Sequence, residues 1–433
     1  MMSTSSVHEP ELIRKISFRL LPFLMLLYLV AYIDRANISV AALQMNADLG
    51  LSARMYGLGA GLFYVTYILF EVPSNIILAR VGARRWIARI MLTWGMIAAG
   101  MAFIHTAGQL YTMRLLLGAA EAGFTPGIIY YLSRWYPSRH RAGALSYFYI
   151  AAALASVVGL PLSGALLGLD GWHGFSGWRW LYFLEGIPAM ILGVAVFYYL
   201  PDRPSKARWL SRDQADWLEN TIADESAAAP AAKSHAAGWR RAFSDSRVWL
   251  LSLFWLLQAF GTIGVTLFLP QILKSLSNAS NFLVSLYSAL PFIFACIFMY
   301  VNGRHSDRTG ERRWHLGLPL MVSGILLAVA TTSSNLTFAY VLLVLAVGFN
   351  WAVTPVFWAV TTEYLAGGVA AAGAIALINS VANLAGVGLP PAMGWIRDHR
   401  GSYQLALLLI ALALFLGGIL GHALAGKKPG SSC

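Results

Sequence analysis

Apolar residues run through this chain in long unbroken stretches rather than in alternation. Twelve stretches approach the ~20 residues that a helix needs to cross a bilayer. They lie near 18–43, 55–79, 87–105, 109–132, 143–168, 178–200, 247–273, 282–302, 315–332, 336–362, 369–396 and 403–425. The pattern predicts an all-α membrane protein with twelve spanning helices. One long polar stretch, 201–246, divides six spans from six; it opens on Pro201 and Pro204 and contains the run AAAPAAKSHAAG. Within it, SRDQADWLENTIADE reads as a short surface helix, with Ser211 and Gln214 forming a capping box and Trp217 and Leu218 an apolar edge. The expected organisation is a first six-helix unit over 1–200, a linker over 201–246 and a second six-helix unit over 247–433.

Composition supports the span reading. Of 433 residues, 58% are hydrophobic and 12% charged, with a mean hydropathy of +0.63; soluble domains carry about 25% charged residues. The net charge of +12 is explained by position. With the N-terminus placed in the cytoplasm, 24 of the 31 Lys and Arg fall on cytoplasmic ends and loops, five fall on outer loops, and Arg35 and Arg114 lie inside spans. This asymmetry is the positive-inside rule and puts both termini in the cytoplasm. The basic excess is topological, so the partners expected are a lipid bilayer and a small molecule, with no nucleic acid. Cys296 and Cys433 make no disulfide framework. The first apolar segment is too long for a cleavable signal peptide. No metal-spaced His/Cys cluster, phosphate-binding glycine loop or catalytic triad is apparent, so neither an enzyme nor a metal site is expected.

The two halves repeat each other weakly. NIILARVGARRW (75–86) aligns with GRHSDRTGERRW (303–314) at an offset of 228, and VGLP recurs at 158–161 and 387–390 at an offset of 229. Parallel repeats about an axis normal to the membrane, with the substrate near the midplane between them, are a recurring transporter plan.

The chemistry sits in the few ionisable groups within spans. Asp34 and Arg35 lie inside FLMLLYLVAYIDRANISVAAL, and Arg114 precedes Glu121 by seven residues, close to two helical turns and therefore on one face. A charge at the bilayer centre costs roughly 2.5–3.5 kcal/mol on insertion scales, so such groups are retained for a task. Arginine suits an anion because its planar fork pairs a carboxylate bidentately and stays charged. A buried carboxyl suits a proton: desolvation favours its neutral form and a neighbouring arginine its charged form. Arg114 with Glu121, or Asp34 with Arg35, is alternatively a local structural pair. Glu71, near a helix end, reads as structural; Glu185 is either structural or an arginine's partner. The second half offers amides and aromatics: Gln258, Asn350, Trp351, Thr354, Trp358, and Asn379 with Asn383 on one face. They serve as interhelical glue or as ligand contacts. Trp351 and Trp358, seven apart, form either a stacking wall or a lipid-facing pair. Gly57, Gly59, Gly61, Gly118 and Gly123 read as sites of close helix approach.

GRHSDRTGERR fits the major facilitator signature G-x3-D-R-x-G-x-R-R, whereas the first half has Asn75 for its leading Gly and Ala79 for its Asp. YIDRANIS (32–39), FYVTYILFEVPSN (63–75) and RLLLGAAEAGFTPGIIYYLSRWYP (114–137) resemble the first, second and fourth helices of the anion:cation symporter family within that superfamily. The resemblance spans essentially the whole chain. It implies the major facilitator fold of two six-helix bundles, with Asp34 and Glu121 as proton-coupling acids, Arg35 and Arg114 as anion ligands, and Tyr32 and Tyr67 as pocket tyrosines; the residues themselves add Asn37, Gln258, Trp351, Trp358, Asn379 and Asn383 as candidate substrate contacts. The signature loops would supply a cytoplasmic gate through Arg80, Arg84, Asp307 and Arg308. LGLSARMYGLGAGLFYVTYILFEVPSNIILARVGARRW and FSGWRWLYFLEGIPAMILG look like the hydroxyphenylacetate/tartrate branch, and Ala152 stands where similar sugar-acid carriers tend to have an amide. The expectation is a monomeric inner-membrane transporter that imports an organic carboxylate, aromatic or a small hydroxy or dicarboxylic acid, by proton symport with alternating access. It would use protons as coupling ion and no other cofactor. Rivals are a sugar-acid (hexonate or hexuronate) proton symporter, an organic-anion exchanger or exporter, and a non-transporting sensor.

Overall fold

The computed structural model describes residues 7–228, 243–365 and 369–424. The first half contains α1 (Glu9–Asp48), α2 (Ala53–Val81), α3 (Ala83–Gly100), α4 (Ala107–Glu121), α5 (Phe124–Ser133), α6 (Ser138–Leu167) and α7 (Gly177–Tyr199). Helix α8 (Arg212–Ala228) belongs to the linker. The second half contains α9 (Ser246–Ala259), a wide π turn at Phe260–Val265, α10 (Thr266–Leu276), α11 (Asn281–Thr309), α12 (Arg313–Thr332), α13 (Leu336–Leu365), α14 (Val369–Arg400) and α15 (Gln404–Leu424). Among the described residues, eleven helical segments are long and apolar enough to cross a membrane, α4–α5 counting as one and α9–α10 as another, and Ala151–Leu167 is a shorter apolar twelfth. Large apolar side chains such as Phe18, Leu69, Ile191 and Tyr198 stand exposed around the outside; lipid, not water, suits such a surface.

Local signals position the ends. Ser52 and Thr106 open α2 and α4 by accepting the Met55 and Gln109 amides at 3.2 Å each. The linker capping box forms in both directions, Gln214 N–H to Ser211 Oγ at 3.2 Å and Ser211 N–H to Gln214 Oε1 at 3.3 Å. Trp209 stacks on Trp135 at 5.6 Å and Lys15 reaches Gln214 at 3.3 Å, so the linker lies on the first half. The repeated signature places one glycine per half in the same turn, Gly82 at φ +100° and Gly310 at φ +67°, a region that favours glycine.

Each half packs on itself through α3–α7, α1–α6 and α2–α4, and through α12–α15, α11–α13 and α9–α14. The halves meet where α2 lies on α14, α6 on α11 and α1 on α10. This seam is tight toward the face opposite the termini. A Cβ at Gly57 would overlap the Pro390 carbonyl, one at Gly61 would sit 3.0 Å from the Val387 oxygen, and Gly386 fits under the Tyr64 ring. Hydrogen bonds cross the same region: Tyr56 OH to the Leu267 carbonyl at 2.8 Å, and Asn46 Nδ2 to Gln271 Oε1 at 3.2 Å. The Asp398 carboxylate accepts the Ala53 and Arg54 amides at 3.1 and 2.9 Å, capping the start of α2 from the other half.

Candidate functional site

The fourth span is not one helix. Helix α4 ends at Glu121, Ala122 is extended at φ −53° and ψ 132°, and Gly123 is left-handed at φ +86° before α5 begins at Phe124. A side chain at Gly123 would strike Ser74. The break places Glu121 on the last residue of a half-helix inside the protein, where irregular backbone is tolerated because it is covered by protein rather than lipid.

Arg35 Nε bonds Glu121 Oε1 at 2.5 Å, with side-chain exposures of 22% and 1%. The acid is sealed and the base is reachable. Aromatic rings hold the guanidinium: its carbon lies 4.9 Å from the Tyr67 ring, 5.6 Å from Tyr32 and 5.8 Å from Phe63. Arg114 stands 4.9 Å from the same Phe63 ring, so one phenyl group serves both cations. Arg114 is buried, its Nε donates to the Gly59 carbonyl at 3.3 Å, and its Nη1 has no acceptor among the described residues. Close packing beneath the pair depends on Gly118, where a Cβ would overlap the Phe63 carbonyl.

Two pairings read from sequence do not form. Arg35, not Arg114, takes Glu121, because α1 delivers its arginine to the end of α4 while the Arg114 guanidinium, on the same face of α4, is engaged by the Gly59 carbonyl. Asp34 does not pair with its neighbour Arg35. Adjacent positions on a helix point about 100° apart, and Asp34 instead accepts Trp94 Nε1 at 2.8 Å and Asn37 Nδ2 at 3.4 Å. Asn37 is thereby a partner of Asp34 rather than a free pocket amide. Glu71 lies in the C-terminal half of α2 with its Oε2 buried and without a hydrogen-bond partner among the described residues, and it interacts electrostatically with Arg35. Among the described residues Glu185 has no arginine partner, and it accepts Ser163 Oγ at 2.7 Å.

In the second half, Gln258 donates to Thr262 Oγ1 at 2.9 Å and to the Asn350 carbonyl at 3.3 Å, and Asn350 Nδ2 donates to the same hydroxyl at 3.0 Å. The knot ties α9 to α13 at the π turn, so Gln258 is interhelical glue. Trp351 is buried against Phe292, ring centres 6.1 Å apart, whereas Trp358 packs on Trp255 at 5.5 Å and Phe357 at 5.2 Å. The two tryptophans therefore make neither a shared wall nor a lipid-facing pair. The indole nitrogen of Trp351 and the hydroxyl of Thr354 are buried without partners. Asn379 and Asn383 are both half-buried on α14.

The signature loops differ between halves. Arg80 and Arg308 are exposed. In the first half, where Ala79 replaces the acid, Asp202 accepts the Arg84 amide at 3.1 Å and sits against Gly82. In the second, Asp307 bonds Arg312 at 2.6 Å, and Arg312 also holds Glu363 at 2.9 Å. Asp202, Arg312 and Glu363 were missed as members of this region. Asp202 lies 123 residues beyond Ala79 and Glu363 lies 51 beyond Arg312, separations no local pattern bridges.

Two repeated helical halves, closed along one end and holding arginines and acids inside spans, define a multi-pass membrane transporter rather than an enzyme. The model of the Major Facilitator Superfamily matches residues 24–387, and the chain belongs to that superfamily. A protein of Agrobacterium vitis named "Putative tartrate transporter" is 44% identical over 423 residues, covering 97% of this chain and 96% of that protein. A quinolone resistance transporter of Acinetobacter baumannii is 38% identical over 419 residues, covering 97% and 96%. Among solved structures, a bacterial homologue of the human lysosomal transporter Spinster, inward-facing and occupied, superposes with a TM-score of 0.75 at 18% identity, covering 94% of this chain and 96% of that one.

Proposed function

We propose that the protein imports an organic carboxylate by proton symport, through alternating access, as a monomer in the inner membrane with both termini in the cytoplasm. The observation that carries the reading is the Arg35–Glu121 pair, in which a sealed acid is neutralised by a half-open base. The name of the Agrobacterium vitis relative supports a hydroxy-dicarboxylate such as tartrate as the substrate class, and the distribution of Lys and Arg supports the orientation. In that orientation the closed seam faces outward, so the arrangement corresponds to an inward-facing carrier.

The cycle follows from electrostatics. Anion entry against an inside-negative potential costs about 2.3 kcal/mol per charge per 100 mV. A substrate carboxylate takes the Arg35 guanidinium, joined by the uncommitted Nη1 of Arg114. Glu121 then loses its counter-ion in a site with 1% exposure. An unpaired buried carboxylate is costly, so Glu121 binds a proton, and the site crosses the membrane without net negative charge. Return of the empty carrier needs the proton to leave and the Arg35–Glu121 pair to re-form.

The test is reconstitution into vesicles with an imposed pH gradient, inside alkaline, and labelled tartrate as probe. Wild type concentrates the label. Glu121→Gln retains counterflow exchange and loses concentrative uptake by at least tenfold. Accumulation that survives this substitution removes Glu121 from the coupling. The quinolone relative motivates a second reading, export of a drug-like anion; net efflux of a fluoroquinolone down an opposing gradient, with no tartrate exchange, would favour it.

A further inference from the structure

Behind the arginine site lies a second buried acid cluster that the cycle above does not use. Asp34 on α1 is 2% exposed, Glu185 on α7 is 4% exposed, and Asn37, between them in interaction, is 2% exposed. The Asn37 amide donates to Asp34 Oδ1 at 3.4 Å, and its dipole also acts on the Glu185 carboxyl. The remaining donors are neutral: Trp94 Nε1 from α3 on Asp34 at 2.8 Å, and Ser163 Oγ from α6 on Glu185 at 2.7 Å. Among the described residues, every ion pair within 4 Å involves other acids, so no lysine, arginine or histidine neutralises either carboxyl. The charged groups that act on the cluster are Glu121 from α4, which repels it, and the Asp34 and Glu185 charges, which repel each other. Tyr182, one turn before Glu185, feels Arg114, Glu185 and Asp34 together, and its buried hydroxyl has no partner.

Two ionised carboxylates buried with only neutral donors are strongly disfavoured by desolvation. Acids that repel each other in such a site relieve the cost when one of them takes up a proton. The unsatisfied atoms mark where that proton belongs: Glu185 Oε2 and Asn37 Oδ1 are both buried acceptors with no donor. An O–H on Glu185 supplies the missing donor to this pocket, and leaves the Asp34 carboxylate with its indole and amide donors.

We infer that Asp34, Asn37 and Glu185 form a second proton site, in which Glu185 carries a proton that is loaded and released in each cycle, separately from Glu121. Loading changes the cluster's charge from −2 to −1, and the proton comes from and returns to bulk water. The inference rests on the symport reading for its coupling, and on geometry alone for the proton itself. Tyr182 stands in the field of Arg114 and of both acids, so an anion that neutralises that arginine acts on the cluster through space. The carrier then moves two protons with each anion.

Two readouts test this separately. Infrared difference spectroscopy of purified, substrate-free protein at neutral pH detects the carbonyl band of a buried protonated carboxyl. The band is expected in wild type and Glu121→Gln, absent in Glu185→Gln, and displaced in Ser163→Ala, which keeps both acids and removes only the hydroxyl donor. A band unchanged in Glu185→Gln overturns the proposal. In vesicles at zero potential with a one-unit pH gradient, each coupled proton multiplies accumulation about tenfold. Wild type should therefore concentrate labelled tartrate ~100-fold and Glu185→Gln ~10-fold by the same relation. Equal accumulation overturns the two-proton cycle while leaving symport intact. A wild type that accumulates nothing sinks the symport reading instead, and the infrared band then still decides whether the cluster holds a proton.

Discussion

Removing the Asp398 carboxylate should unlatch the closed face. Asp398 belongs to the second half and accepts the Ala53 and Arg54 amides at 3.1 and 2.9 Å, the first two N–H groups of α2 in the first half. These donors have no partner within their own helix, and a carboxylate there also meets the positive end of the helix dipole. Ser52 remains as a cap within the helix, so α2 itself survives. Cap deletions cost about 0.5–2 kcal/mol, and bonds to a charged group about 1.5–3 kcal/mol each when shielded. Asp398 is exposed, which argues for about 1–2 kcal/mol in total by the capping scale. Because the contact joins the two halves, the whole amount acts on the equilibrium between closed and open arrangements of that face. Asp398→Ala should raise the open-to-closed ratio ~5–30-fold by the affinity arithmetic. The assay is electron–electron double resonance between spin labels at Gly108 and Ser334, two exposed sites on opposite halves of that face. The long-distance population should grow in Asp398→Ala and partly return in Asp398→Glu. An unchanged distance distribution, with unfolding temperature also unchanged, would refute the latch.

Three further outcomes follow from the geometry. Arg35→Lys keeps the charge but removes the Nε contact to Glu121 and the flat face against Tyr67, and should lower kcat/KM for tartrate at least tenfold with little change in unfolding temperature. Asp202→Ala frees the Arg84 amide at the start of α3 and should cost about 1 kcal/mol of stability, read as a lower unfolding temperature of purified protein, while Asp202→Asn retains most of it. Bonding to Arg139, opposed by burial and aided by His140, holds the Glu9 carboxyl below the ordinary range. A depressed carboxyl contributes above its unfolded value and stops contributing as pH falls through the lower folded value. Hydrogen exchange at the start of α1 should therefore be slow at neutral pH, faster in Glu9→Gln, and indistinguishable between the two in strong acid.

The spans, the linker helix with its capping box, and the paired turn glycines were all legible because each is a local pattern: apolar run, S-x-x-Q, and a repeated glycine. The arginines and Glu121 were legible as candidates because charge inside a span is rare. What sequence could not supply was who faces whom. Trp94 reaches Asp34 across 60 residues and Arg35 reaches Glu121 across 86, distances that no periodicity spans. The break in the fourth span did have a signal. Gly123 followed three residues later by Pro126 is a helix-stop pattern, but the surrounding apolar run masked it. The Gln258–Thr262–Asn350 knot depends on a π turn, whose extra residue shifts side chains off the regular helical face.

The interruption at Ala122–Gly123 has a mechanical meaning. A continuous rod would oblige any movement near Glu121 to swing the whole fourth span and everything packed along it. With the rod severed, the ten residues of α5 form a short separate segment, joined to α4 through Gly123 in the left-handed region. In the proposed symport cycle, making and breaking the Arg35–Glu121 pair beside this joint would act first on α5 at the termini end, ahead of α4 and the latched seam.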